Sequence, residues 1–147
     1  MSFQEYVARN WVNVLPVPSN VSTRSAAAIA LSGFTALTFI TEAYAPKAGE
    51  WVLVHAAAGG LGTILCQLLS TRGVHVIGTT STPQKAEIAK SHGAKAVIVT
   101  TQEDTVKRVL ELTSGEGVHG IYDGVGKDTC VISIPTRSNY ALTQTVR

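Results

Sequence analysis

The sequence predicts an α/β fold with a doubly wound parallel sheet, and three observations support this prediction. Short apolar runs occur at residues 51–54, 75–79, 96–99 and 118–123. Segments of helical periodicity lie between them, and glycines or short polar turns bound each run. Strands that alternate with helices favour parallel pairing with right-handed crossovers. We therefore expect an incomplete sheet of about four strands with flanking helices.

Composition indicates one folded domain. The chain has 147 residues, of which 45% are hydrophobic and 15% charged, which is enough to bury a core. A net charge of +2 is too small to indicate nucleic acid or a membrane surface by itself. No secretory signal is apparent, so a cytoplasmic location is predicted. The longest apolar stretch, residues 26–40, is interrupted by polar residues and is predicted to be too short for a membrane span.

The first elements follow from local signals. Residues 1–22 are predicted to be extended, because Pro16 and Pro18 disfavour a helix. Ser22 or Thr23 is expected to cap a helix from about residue 24 to residue 43. The strand at 51–54 then leads through a glycine-rich turn into a helix whose apolar residues, Leu61, Ile64, Leu65, Leu68 and Leu69, fall at helical spacing.

The later elements carry equally local signals. Thr82 is expected to cap a helix with Pro83 at its first position, and Gly93 is expected to end it. Glu103 and Asp104 are expected to occupy the first turn of a further helix, where their charges pair in register with Lys107 and Arg108 and indicate a solvated face.

The turn at residues 55–62 reads His-Ala-Ala-Ala-Gly-Gly-Leu-Gly and is the strongest functional signal. It matches two of the three glycines of the G-x-G-x-x-G pattern, with Ala57 in the first place. Gly59 would let a diphosphate approach the backbone, and Gly62 would let the helix pack closely on the strand. The N–H groups of the helix N-terminus would face the phosphates. We predict a Rossmann-like dinucleotide site at Gly59, Gly60, Leu61 and Gly62; the alternative is a tight turn without ligand.

The end of the second strand indicates which dinucleotide is bound. An NAD-preferring fold usually places an acidic residue there, whereas residues 78–82 contain none. Ser81 and Thr82 offer hydroxyls and Lys85 a positive charge to a 2′-phosphate. NADPH is therefore predicted over NADH, with an ordinary exposed lysine as the alternative for Lys85.

No metal site is predicted. Cys66 and Cys130 are far apart and lack the spacing of zinc ligands. Cys66 is expected to be a small buried residue within its helix. His55 is expected to be packed or hydrogen-bonded rather than a ligand.

The turn at 56–62, followed by Gly78-Thr79-Thr80-Ser81-Thr82 and Lys85, resembles the NADPH-dependent quinone oxidoreductases (zeta-crystallin-like) of the zinc-independent medium-chain dehydrogenase/reductase superfamily. The resemblance extends over about residues 5–129 and includes residues 31–36, 92–94 and 122–129. It implies hydride transfer from NADPH to a quinone or enone, with Thr35 and Gly124 near the nicotinamide. For Thr35 the alternative is a hydroxyl bonded to its own helix. The family often has tyrosine where this chain has Thr100, and no catalytic acid or base can be named.

The resemblance also implies a domain division. Residues 1–22 would be a remnant leading from a missing catalytic domain, residues 23–129 the NADPH-binding domain, and residues 130–147 a divergent, poorly ordered tail. The sheet edge past Asp123 would then be exposed, and the family's homodimer is not expected. We predict an NADPH-binding domain of a truncated enzyme; the alternative is a non-catalytic dinucleotide-binding or interaction module. Nucleic-acid binding is not expected, although family members bind RNA, because no aromatic and basic patch is present.

Overall fold

The computed structural model describes residues 5–133 and 135–145, with backbone only for 137–145. Within these residues a short 3-10 helix, Trp11–Asn13, interrupts the N-terminal segment that was predicted to be extended, and five α-helices and five strands then follow one another along the chain. They are α1 (Thr23–Thr38), β1 (Trp51–Val54), α2 (Gly60–Thr71), β2 (His75–Thr80), α3 (Pro83–Ser91), β3 (Ala96–Val99), α4 (Thr105–Leu112), β4 (Val118–Asp123), α5 (Lys127–Ser133) and β5 (Arg137–Thr145).

The strands form one parallel sheet in the order β3-β2-β1-β4-β5. Val52 in the central strand is in register with Val76 on one side and Gly120 on the other. The chain moves outward from β1 through β2 to β3 and then returns to β4, so the direction of winding changes between β1 and β4. The predicted doubly wound α/β class is confirmed, and the carboxyl ends of β1, β2 and β4 meet at this switch point.

Both faces of the sheet are buried, as expected of parallel strands covered by helices. One face packs Val52, Val54 and Val76 against Leu65 and Leu69 of α2. The opposite face carries a second apolar cluster that reaches α4, made of Leu53, Ile77, Ile98, Val109, Val118 and Ile121.

The predicted helix caps are confirmed. Ser22 Oγ accepts a hydrogen bond from Ser25 N–H at 3.0 Å at the start of α1. Thr82 Oγ1 accepts from Lys85 N–H at 3.3 Å at the start of α3. Gly93 follows α3 with φ of 101°, a left-handed conformation that glycine adopts without strain.

The first helix is longer than the apolar stretch 26–40 suggested. A π-helical turn, Phe39–Ala43, continues α1, giving 21 helical residues from Thr23 to Ala43. By length and composition alone this helix could cross a membrane, with a mean hydropathy of 1.5 and 11% of its most apolar window buried. The core helix of a soluble protein or a signal sequence can have the same length and composition. The expectation that this apolar stretch is too short to span a membrane is corrected.

The C-terminal part differs from the expected tail after Thr129. Residues 130–133 continue α5, and Arg137–Thr145 forms β5, which pairs with β4 through Gly120 and Leu142. The edge of β4 expected to be exposed past Asp123 is therefore covered, and the sheet has five strands rather than about four. The division into domains stays a prediction, and residues 1–4, 134, 146 and 147 of its terminal segments lie outside the described residues.

Candidate functional site

The glycine turn starts with a strained alanine. Ala56 follows β1 with φ of 49°, a left-handed conformation that is uncommon for residues other than glycine. Backbone bonds hold it: Gly59 N–H donates to the Ala56 carbonyl at 2.8 Å, and Ala57 N–H donates to the Thr79 carbonyl at 2.9 Å. The turn is thus tied to the end of the neighbouring strand, β2.

The three glycines of the turn have different reasons to be glycine. A Cβ on Gly62 would lie 2.7 Å from Ala57 Cα, so close helix packing requires this glycine, as predicted. On Gly60 a Cβ would make only an ordinary 3.5 Å contact with Ser32 Oγ, and on Gly59 it would lie 3.2 Å from the Ala56 carbonyl oxygen. Gly59 and Gly60 are both exposed. The fold therefore leaves room at Gly60 that a bound group would fill.

The N-terminus of α2 carries free donors. The cap residue is Gly59, which has no side chain to accept from the first turn. Thr63 N–H donates to the Gly59 carbonyl at 2.9 Å, whereas within the described chain the N–H groups of Gly60, Leu61 and Gly62 have no protein acceptor. Such donors, aligned with the positive end of the helix dipole, form an anion site.

Two clefts adjoin at this turn. The first, called the β2 cleft, has a volume of about 340 Å³, within the range of roughly 300–1,000 Å³ usual for small-molecule sites. It is lined by Ala56, Ala58, Gly59, Thr79, Thr80, Ser81, Lys85, Thr100, Val125 and Thr129. The second, called the β4 cleft, has a volume of about 180 Å³ and is lined by His55, Ala56, Gly59, Gly60, Leu61, Gly62, Leu65, Tyr122 and Gly124. Together they lie on either side of the switch point.

The β2 cleft suits a negatively charged group. No carboxylate lines it, and Lys85 Nζ donates to Ser81 Oγ at 3.4 Å. Among the described residues Lys85 has no acidic side chain within ion-pair distance, in contrast to Lys90, which pairs with Glu87 at 2.9 Å. A free ammonium beside a hydroxyl and the N–H groups of α2 fits a phosphorylated ribose.

A buried polar group lies beneath the turn. His55 Nδ1 is 3.1 Å from Thr79 Oγ1, and His55 Nε2 is 3.2 Å from Ser133 Oγ. Burial lowers the pKa of His55, partly offset by the charge of Asp123. The prediction that His55 is a packed, hydrogen-bonded residue is confirmed.

Asp123, at the end of β4, shapes the loop that follows. Its carboxylate accepts from Val125 N–H at 2.9 Å and Gly126 N–H at 3.0 Å. The Thr129 hydroxyl also donates to it at 2.7 Å. Burial by itself would raise the pKa of Asp123, but these hydrogen bonds and nearby His55 lower it below its ordinary value.

Most, but not all, of the predicted residues line the clefts. Gly59, Ser81 and Lys85 line the β2 cleft, and Gly59, Gly60, Leu61, Gly62 and Gly124 line the β4 cleft. Two residues lie elsewhere. Thr82 is not among the lining residues, since its hydroxyl oxygen caps α3. Thr35 donates its hydroxyl to the Leu31 carbonyl at 2.8 Å, the local bond named as its alternative.

Several lining residues were missed from the sequence. Thr79 and Thr80 end β2, Thr100 follows β3, and Val125 and Thr129 follow β4. What these residues share is that each lies at or after the carboxyl end of a strand. This position could have indicated them, because ligands of open α/β sheets bind beyond the carboxyl ends of strands near the switch point. Thr100 is fixed by two bonds from its N–H and hydroxyl to the Thr80 carbonyl, at 2.9 Å and 3.2 Å.

In the part of the chain that the structure describes, no group of three or more His, Cys, Asp or Glu side chains is close enough together to hold a metal ion. Cys66 is fully buried, which confirms its predicted packing role, and burial raises the pKa of its thiol to about 11.

The switch-point site and the parallel sheet define a dinucleotide-binding Rossmann domain. A sequence profile of the zinc-binding dehydrogenase family matches residues 60–134, and the chain belongs to that family. The resemblance to quinone oxidoreductases is confirmed by its relatives. The chain is 46% identical over 126 residues to a probable quinone oxidoreductase of Schizosaccharomyces pombe, covering 86% of this chain and 38% of the relative.

Solved structures agree with this assignment. A quinone oxidoreductase of Pseudomonas syringae superposes with a TM-score of 0.88 at 41% identity, covering 90% of this chain and 41% of that one. The Escherichia coli quinone oxidoreductase complexed with NADPH gives a TM-score of 0.84 at 40% identity, covering 86% and 39%. The chain thus spans about two fifths of the length of the relatives it matches.

Proposed function

We propose that this chain is the NADPH-binding domain of a quinone oxidoreductase-like enzyme. The observation that carries the proposal is the β2 cleft, where Lys85, free of any acidic partner among the described residues, lies beside Ser81 in an acid-free lining. A 2′-phosphate requires such a site, whereas the hydroxyl pair of NADH is usually bound by an acid.

Each part of the cofactor has residues that fit it. The free N–H groups of Gly60, Leu61 and Gly62 would hold the diphosphate. Lys85 and Ser81 would hold the 2′-phosphate, and the β4 cleft, which Gly124 lines, would hold the nicotinamide. When bound, NADPH supplies a hydride to an acceptor. The chain's own residues bind and orient the cofactor.

Small quinones are the proposed substrates, since the relatives are quinone oxidoreductases. These relatives support a soluble protein, and a cytoplasmic location stays a prediction. It also stays a prediction that enones are substrates. The same holds for the expectations that the chain binds neither membrane nor nucleic acid and that it does not form the family's homodimer.

One observation favours the alternative of a non-catalytic dinucleotide-binding module. Among the described side chains that line the β4 cleft, only His55 and Tyr122 could exchange a proton. Both are hydrogen-bonded inside the protein, His55 to Thr79 and Ser133, and Tyr122 to the Tyr44 carbonyl at 2.8 Å.

Two measurements separate these hypotheses. Titration calorimetry with NADPH and NADH tests binding, and NADPH oxidation with 9,10-phenanthrenequinone tests turnover. Binding with turnover supports the enzyme, and binding without turnover supports the module. Failure to bind either dinucleotide would contradict both.

A further inference from the structure

A buried chain of hydrogen bonds connects the glycine turn to α5. Ala56 N–H donates to Thr79 Oγ1 at 3.3 Å, and that oxygen is 3.1 Å from His55 Nδ1. His55 Nε2 is 3.2 Å from Ser133 Oγ, whose hydroxyl donates to the Thr129 carbonyl at 3.0 Å. His55, Thr79 and Ser133 are 4%, 3% and 0% exposed, so water does not compete for these bonds.

The hydrogen-bond donors in this buried series of bonds fit one arrangement in which every polar atom has a partner. Thr79 Oγ1 accepts from Ala56, which leaves its hydroxyl hydrogen for His55 Nδ1. Ser133 gives its hydroxyl hydrogen to the Thr129 carbonyl and accepts from His55 Nε2–H. Neutral imidazole with its hydrogen on Nε2 satisfies both.

The strained alanine explains what this chain of bonds does. Ala56 has φ of 49°, a conformation that persists only where its surroundings hold it. Thr79 holds the turn twice, through its hydroxyl to Ala56 N–H and through its carbonyl to Ala57 N–H. His55 in turn fixes the direction of the Thr79 hydroxyl.

We propose that His55, anchored by Ser133, is a positioning residue that orients the Thr79 hydroxyl and thereby holds the glycine turn in the shape that binds the dinucleotide diphosphate. This inference rests on the proposed dinucleotide function. Ser133 lines neither cleft, so it acts on the cofactor only indirectly, through His55 and through the Thr129 carbonyl to which its hydroxyl donates.

The arrangement makes dinucleotide binding sensitive to acid. Protonation would place a hydrogen on Nδ1, and the Thr79 hydroxyl would then lose its acceptor. The groups that face the imidazole are Thr79 from β2, Ser133 from α5 and the Asp123 charge from β4. Because burial outweighs Asp123 and lowers the pKa of His55, affinity is expected to fall only below the ordinary imidazole range, about pH 6.5.

The test compares three variants and one control variant by titration calorimetry with NADP⁺ and NAD⁺, oxidised forms that survive acid. Thr79→Val removes the acceptor of Ala56 N–H and is expected to weaken both about tenfold, the effect of about one hydrogen bond at the turn. Ser133→Ala is expected to weaken both severalfold, because it acts on the turn one residue further away, through His55. Thr79→Ser should recover most of the affinity. Thr113→Val is the matched control, because Thr113 is a buried threonine whose Oγ1 accepts from Gly117 N–H at 2.9 Å away from both clefts. It should lower stability without changing affinity.

The pH profile supplies a readout that simple packing would not change. NAD⁺ has no 2′-phosphate to titrate, so an acid loss of its affinity in the wild type that disappears in Thr79→Val, which has no hydroxyl to lose its acceptor, would support the proposal. Imidazole ¹⁵N shifts of the free protein should show hydrogen on Nε2. Hydrogen on Nδ1, or unchanged affinity and pH profile in Ser133→Ala and Thr79→Val, would overturn the inference alone. A folded wild type that binds neither dinucleotide would overturn it together with the proposed function.

Discussion

At the scale of single residues, Lys85 is the residue on which cofactor choice is proposed to depend. The Thr82 cap fixes the first turn of α3, and this places Lys85 Nζ 3.4 Å from Ser81 Oγ at the carboxyl end of β2. An ammonium without a carboxylate partner retains its full attraction for a phosphate. The same side chain adds little binding free energy for a ligand that lacks the 2′-phosphate.

Replacing Lys85 should therefore affect NADPH selectively. Lys85→Ala removes a charge-assisted bond worth roughly 1.5–3 kcal/mol, so the Kd for NADPH should rise by about one to two decades while that for NADH stays nearly constant. Titration calorimetry measures both constants. Lys90→Ala on the same helix is the control, since Lys90 pairs with Glu87. Equal losses for the two cofactors would contradict the assignment of Lys85.

The ionisation of Asp123 should contribute to the stability of the fold in acid. Its pKa is lowered in the folded state, so it stabilises the fold above its unfolded pKa of about 3.9. This contribution is lost as pH falls through the lower folded value. Asp123→Asn should reduce the free energy of unfolding at pH 7 by about 2 kcal/mol, with a smaller difference near pH 3.

Urea unfolding at the two pH values measures this effect. Glu116→Gln, at an exposed position, is the control and should change stability little at either pH. A loss in Asp123→Asn that was the same at both pH values would show that carboxylate ionisation is not the cause.

At the scale of elements, the glycine turn that connects β1 to α2 has one glycine required for folding and another proposed to serve binding. Gly62 permits the helix to touch the turn, where a Cβ would lie 2.7 Å from Ala57 Cα. Gly60 faces open space apart from Ser32. One glycine thus serves the packing of the domain, and its neighbour serves the ligand.

Substitution at these two glycines should separate binding from stability. Gly60→Val should keep the fold and abolish NADPH binding, because its side chain would occupy the diphosphate position. Gly62→Ala should lower the free energy of unfolding by about 1–3 kcal/mol through overpacking. Thermal melts and cofactor titration measure the two effects. A folded Gly60→Val that bound NADPH normally would show that the turn is not the phosphate site. Gly59→Val, at the adjacent cap, should behave like Gly60→Val with added strain, because its Cβ would lie 3.2 Å from the Ala56 carbonyl oxygen.

At the scale of the whole molecule, the β4 cleft, where the nicotinamide is proposed to lie, is small, and apolar side chains outside it are exposed. The β4 cleft is only about 180 Å³, and the helix preceding β1 exposes apolar side chains such as Leu31 (82%) and Phe34 (58%). Phe34 also lines a groove of about 450 Å³ between α1 and α2. The volume of the β4 cleft, about 180 Å³, is below the roughly 300–1,000 Å³ usual for small-molecule sites, so a substrate there would have few walls to orient it.

We expect the 147-residue chain by itself to bind NADPH with little quinone turnover. Hydride transfer needs the reacting carbons about 3–3.5 Å apart and shielded from water. Steady-state NADPH oxidation with 9,10-phenanthrenequinone measures turnover, with Gly60→Val as the cofactor-free baseline. Rates of roughly 1 per second or more would contradict this expectation.

The sequence by itself determined the local units of this protein. The strand, turn and helix at 51–71, the Thr82 cap with Pro83, and the glycine after α3 were all predicted correctly. Their causes act over a few residues: side-chain periodicity, the acceptors at a helix start, and the freedom of glycine at positive φ. The absence of acidic residues at the end of β2 was predicted equally well, because it is a property of consecutive residues.

Only the tertiary structure decided what distant segments do together. His55 meets Ser133 across 78 positions, and the strain at Ala56 is held from another strand by Thr79. The pairing of β5 with β4 was likewise not visible in the polar composition of the C-terminal segment. Thr35 bonds its own helix rather than lining a cleft, although its sequence context suggested the site. Such contacts depend on which strands become neighbours, and pairing between residues far apart leaves no periodic trace in either segment.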